Sequence, residues 1–116
     1  ESFKTGEEYK YETETQRWIE QASPEEISDF YEILQKEIMP RFENVQIELS
    51  IDNVADFAQY LKKMARKYRM KPAVEIADKL TAASEHFDFD KIFAIFPVFR
   101  NIFECIKNSV AYNLKR

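Results

Sequence analysis

The sequence predicts an all-α fold, an antiparallel up-down four-helix bundle with an extra N-terminal segment. Three observations carry that expectation. Gly6 is the only glycine in 116 residues, whereas β-hairpins and phosphate-cradling loops depend on residues that tolerate positive φ. Apolar residues recur at three- and four-residue steps through most of the chain, the period of a one-sided helix. The segments that show this period are separated by short links, and short links between consecutive helices make them antiparallel neighbours.

Residues 1–22 are polar, with Tyr9, Tyr11, Trp18 and Ile19 as isolated anchors, and are expected to be a linker or a short N-terminal helix near Trp18. The domain proper is expected over residues 23–114. It opens with SPEE, in which Ser23 can cap, Pro24 suits the first helical position and Glu26 completes a capping box. The stripe Ile27, Phe30, Tyr31, Leu34, Ile38 then runs to Pro40, where a kink or break is expected because proline lacks a donor and crowds the preceding turn. A shorter helix with Phe42, Val45 and Leu49 follows, and Ser50 is the next cap.

From Ile51 to about Arg69 the inward positions are Val54, Phe57, Ala58, Leu61, Ala65 and Tyr68. The opposite face holds Ala55, Gln59, Lys62, Lys63 and Arg66. Lys71-Pro72 interrupts, and the next helix turns Ala73, Ile76, Ala77, Leu80 and Ala83 inward, small residues that permit close packing. Asp88 can cap the last helix. There Ile92, Ile95, Phe96, Phe99, Ile102, Phe103 and Ile106 form the densest apolar surface, widened by Phe93 and Val98. Such an arc fits either a helix buried on two sides or a partner surface. Pro97 is expected to bend this helix without ending it.

The net charge of −4 and the mixing of acids with bases argue against nucleic acid as a partner. Cys105 stands alone, so no internal disulfide can form, and there is neither a secretory h-region nor an apolar run of bilayer length. A cytoplasmic domain without direct membrane contact is expected. Because the chain begins at Glu1 rather than methionine, it is expected to be a piece of something longer, which could itself be membrane-anchored.

No metal site is expected, since His86 is the only histidine and a di-iron bundle needs inward carboxylates with Glu-x-x-His pairs. Nor is a cofactor, given the absence of glycine-rich nucleotide motifs. His86 lies in SEHFDFD near a helix end, where a solvated role competes with an acid-base one. Cys105 has no histidine nearby in sequence and is expected to be a buried, inert thiol. The acid pairs Glu25, Glu26 and Asp88, Asp90 flank helix starts, where they favour the dipole. No catalytic residue is assigned.

One stretch carries a resemblance. Residues Ala58, Gln59, Tyr60, Leu61, Lys62, Lys63, Met64 and Ala65, the following KPAVEIADKLTAAS and then FDFDKIFAIF together resemble the histidine-phosphotransfer domain, the four-helix module at the ends of hybrid sensor kinases. The likeness spans about residues 24–106. In that family the first of these helices reads approximately Ala-His-x-Leu-Lys-Gly-Ser-Ala, so Gln59 stands at the histidine and Lys63 at a small residue. An amide has no nucleophilic nitrogen for phosphoryl transfer. A long charged side chain also obstructs the approach of a receiver's active site. Lys62 matches a family lysine that balances phosphoryl charge.

The resemblance therefore implies a noncatalytic pseudo-phosphotransfer domain of two-component signalling. Its expected partner is the acidic pocket of a receiver domain, met by Gln59, Lys62, Lys63 and Arg66. An ordinary solvated helix face is the competing account of those four residues. Two functional alternatives accompany it: a dimerisation module using the last helix, and a true phosphocarrier using His86.

Overall fold

The protein's structure, a computed structural model, describes residues 6–114, and every regular element in that range is helical. In chain order these are α1 (Gly6–Gln21), α2 (Pro24–Ile33), a π-helical turn (Leu34–Ile38), α3 (Met39–Ile47), α4 (Ile51–Lys67), α5 (Lys71–Glu85) and α6 (Phe89–Leu114). The π turn joins α2 to α3 without a gap, so residues 24–47 form one continuous rod and the described residues hold five helices.

The expected break at Pro40 is therefore absent. The amide of Met39 donates to the carbonyl of Leu34, five residues back, and the helix widens by one residue just ahead of the proline. A wider turn gives the pyrrolidine ring room against the carbonyl four residues behind it, which a regular α-turn does not. Leu34 and Ile38 stay buried across the turn, so the stripe of α2 reaches the core side of α3. Leu49, expected on this helix, falls in the link beyond Ile47 and is half-buried.

Helix starts follow the caps. Ser23 Oγ accepts from the Glu26 amide at 3.1 Å while Glu26 Oε1 accepts from the Ser23 amide at 3.4 Å, and Pro24 takes the first helical position. Ser50 Oγ accepts from the Asn53 amide and Asp88 Oδ1 from the Lys91 amide, both at 3.1 Å. Each such cap contributes about 1 kcal/mol. α4 ends at Lys67, one residue before the half-buried Tyr68. The chain then turns through Arg69, at φ 56°, and the fully buried Met70 into α5. This corner makes α4 and α5 an antiparallel hairpin.

Residues 6–21, expected as a linker or short helix, are a 16-residue helix whose inner side belongs to the core. Tyr11, Thr15 and Trp18 are buried, and α1 lies along α5 and α6. The Trp18 indole packs edge-on against Phe30, with centroids 5.5 Å apart, and donates through Nε1 to the Tyr68 carbonyl at 2.9 Å. That contact joins the first helix to the far end of α4. Deeper in, Phe42 is the hub of an aromatic cluster with Phe57, Phe96 and Phe99, at 5.8, 5.3 and 5.0 Å.

α1 also accounts for the breadth of apolar surface on α6. Of the two residues expected to widen the apolar arc, Val98 is buried and Phe93 is 53% exposed. α6 runs unbroken through Pro97, which faces solvent. No helix among the described residues is long and apolar enough to cross a membrane.

Candidate functional site

The outward face of α4 is set by its inward one. Val54, Phe57, Ala58, Leu61 and Ala65 are buried, which turns Gln59, Lys63 and Arg66 to solvent along one side of the helix. Leu61 is fully buried, and Gln59, two residues earlier, is exposed. The exposed carboxamide can donate and accept hydrogen bonds. It offers no atom that could carry a phosphoryl group.

The four residues expected to act together are not equivalent. Lys62 is only half-exposed and its Nζ lies 2.7 Å from Asp78 Oδ1 on α5, a cross-helix ion pair. Lys63 and Arg66 make no ion pair among the described residues, so theirs are the uncompensated charges of the face. The Lys62 pairing could have been foreseen: Lys62 and Asp78 each lie eight residues from Met70, and an antiparallel hairpin brings such positions opposite one another.

A second set of contacts flanks the face and was not anticipated from sequence. The Tyr60 hydroxyl donates to Glu37 Oε1 at 2.7 Å, and the Arg41 guanidinium lies 4.0 Å from the centre of the Tyr60 ring. Burial first, then the hydrogen bond and charge of Glu37, push the phenol's pKa up, against a smaller opposing effect of Arg41. These contacts tie α4 to the π turn and the start of α3. They hold the helix on one side while Lys62–Asp78 holds it on the other.

The remaining candidates lie apart from this face. His86 caps the C-terminus of α5, exposed, with Nδ1 2.8 Å from the Ala82 carbonyl. Cys105 is half-buried rather than buried and forms no disulfide. No cluster of three or more histidine, cysteine or acidic side chains able to hold a metal occurs among the described residues. Comparison with known proteins finds no matching family model, curated protein or solved structure.

Proposed function

We propose that this protein is a noncatalytic docking domain of two-component signalling, a phosphotransfer-like bundle that binds a receiver through the outward face of α4. In this reading residues 24–106 supply the four-helix bundle and α1 is the extra N-terminal element. One observation carries the proposal: Gln59 is exposed in mid-helix, one and two turns before Lys63 and Arg66, two cations with no ion-pair partner among the described residues. A receiver's phosphorylation pocket is acidic, and electrostatic complementarity acts chiefly on encounter rate and choice of partner. Lys62, held by Asp78, contributes shape and a fixed cation that can be shared with the incoming carboxylates.

The competing module built on α6 is narrower than its apolar arc, because Val98 is buried. It keeps Phe93, with exposed Phe89 one turn before it. A carrier using His86 would place its chemistry at the end of α5, away from the α4 face.

The test measures association with a panel of purified receiver domains by stopped-flow at low salt. Lys63→Glu with Arg66→Glu should slow association about tenfold and flatten its salt dependence, with the fold intact because both side chains are exposed. Gln59→His with Lys63→Gly restores nucleophile and clearance, and should regain slow, acid-labile phosphoryl acceptance that Gln59→His alone regains less well. Absence of receiver binding at low salt across the panel sinks the docking reading, and acid-labile label on His86 of the unmodified protein favours the carrier instead.

A further inference from the structure

The outward face of α4 carries acids as well as cations. Asp52, Asp56, Lys63 and Lys67 are all exposed on it, and none of the four makes an ion pair among the described residues. Arg41 borders the same groove as Asp56, but its guanidinium lies over the Tyr60 ring at 4.0 Å. Lys67 Nζ lies 5.7 Å from the centre of the Tyr68 ring. Their spacing works against the isolated helix. Asp52 and Asp56 are four residues apart, as are Lys63 and Lys67, the separation at which like charges on one helix repel. The helix dipole favours Asp52 in the first turn and Lys67 in the last, but it fades within a turn of each end and does not account for Asp56 or Lys63. An acidic receiver pocket meets the lysines and has no use for the aspartates.

The four positions are symmetric in the chain. Asp52 stands as far before the midpoint of Gln59 and Tyr60 as Lys67 stands after it, and Asp56 as far before it as Lys63 after it. A second α4 laid antiparallel across the first, about a two-fold axis at that midpoint, brings Asp52 toward Lys67 and Asp56 toward Lys63 of the other copy, twice each. Both like-charge repulsions are then met by opposite charge. Gln59 stands beside the axis, and its amide both donates and accepts, so it can pair with its own copy. Ala55, one turn earlier, has no bulk to hold the helices apart.

We infer that the outward face of α4 binds a second copy of this chain, in a two-fold antiparallel dimer centred between Gln59 and Tyr60. Its contacts are exposed ion pairs, each of them weak, so a dissociation constant on the order of 0.1 mM is expected at low salt, and the protein is monomeric at micromolar concentration. Gln59 and Lys63 also belong to the face assigned to the receiver, so dimer and receiver exclude one another. That consequence alone rests on the docking reading.

Sedimentation equilibrium of the full chain between about 10 μM and about 1 mM should show a monomer–dimer equilibrium at low salt that weakens about tenfold in roughly 0.5 M sodium chloride, where exposed charges are screened. Asp52→Lys with Asp56→Lys, and separately Lys63→Glu with Lys67→Glu, should each weaken self-association about tenfold or more, because like charge then faces like charge. All four positions are exposed, so far-UV circular dichroism should be unaltered. Mixed one to one, the two variants should form a heterodimer about as tight as the unmodified dimer, since a basic face then meets an acidic one. Phe93→Ser should leave the dimer unchanged. The inference is overturned by a monomer across the whole range, by a dimer insensitive to salt, by either double reversal leaving self-association unchanged, by failure of the mixed variants to associate, or by Phe93→Ser dissociating the dimer. No receiver is present in these experiments, so their failure leaves the docking reading standing, and a protein that dimerises but binds no receiver leaves the dimer standing.

Discussion

Replacing Trp18 tests whether the first helix belongs to the folded core. The indole is 8% exposed, packs edge-on against Phe30 and donates to the Tyr68 carbonyl at the end of α4. Trp18→Phe keeps most of the ring and removes the donor. The Tyr68 carbonyl then loses its side-chain partner, a change of about 1–2 kcal/mol. Trp18→Ala also removes the apolar surface and the aromatic pair and leaves a cavity, for a total of about 3–5 kcal/mol. In a domain of this size each kcal/mol lowers the melting temperature by roughly 4–8 °C. The two variants should therefore melt about 4–16 °C and at least 12 °C below the unmodified protein.

Trp18 is the only tryptophan, so its variants must be followed by far-UV circular dichroism during urea and thermal unfolding. The unmodified protein should unfold in one transition, with tryptophan emission and circular dichroism coinciding, because the indole reports on the same core as the helices. A loss below 0.5 kcal/mol for Trp18→Ala would refute the reasoning. It would mean that the contacts of Trp18 with Phe30 and Tyr68 do not hold α1 to the core.

Two further outcomes are expected. Tyr11 is 1% exposed, and its hydroxyl has no hydrogen-bond partner; burial first, then the charges of Glu75 and Glu14, push its pKa up to about 12. Between the ordinary tyrosine value near 10 and that raised value the unfolded chain gives up the proton more readily than the native one. The stabilisation is therefore complete below about pH 10 and is lost as pH rises toward 12. Tyr11→Phe should stabilise the protein by about 1 kcal/mol at neutral pH and remove this part of the alkaline loss, as urea titrations at pH 7 and pH 11 would show. If the exposed Phe93 joins two copies, sedimentation of the unmodified protein should show a dimer that Phe93→Ser dissociates; a monomer at all concentrations removes the dimerisation module.

The legible parts of the fold were those where one local cause acts alone. SPEE contains a whole capping box, and Ser50 and Asp88 act as caps by side-chain chemistry that needs no tertiary partner. The inward stripes of α4, α5 and α6 are dense enough for the period to show. α1 was harder to see because its core positions are Tyr11, Thr15 and Trp18, and one of them is polar. Thr15 enters the core by donating its hydroxyl to the Tyr11 carbonyl at 2.7 Å, which a hydrophobicity pattern cannot register. At Pro40 the helix does not break, for the opposite reason. The local rule against proline in a helix is sound, but the π turn before it lets Leu34, Ile38 and Phe42 all remain buried, and that packing outweighs the strain of a widened turn. On the candidate face, exposure of Gln59 followed from the helical period, while capture of Lys62 by Asp78 depended on the register of two helices.

The position of α1 matters to function through what it leaves uncovered. It lies along α5 and α6, and Trp18 reaches the α4 region at the Tyr68 carbonyl, beyond the last residue of that helix. The apolar excess of α6, which alone could have argued for a partner, is met largely within the chain. The outward side of α4 has no comparable internal use: Gln59, Lys63 and Arg66 are exposed, and neither Lys63 nor Arg66 makes an ion pair among the described residues. Stability and docking therefore rest on different residues, and substitutions that are distant and share no partner act independently. Trp18→Phe should lower the melting temperature and leave receiver association unchanged below the transition, while Lys63→Glu with Arg66→Glu should do the reverse. A loss of association in Trp18→Phe at temperatures where the protein is folded would make α1 part of the docking surface, and would move the proposed site from the middle of α4 to its Tyr68 end.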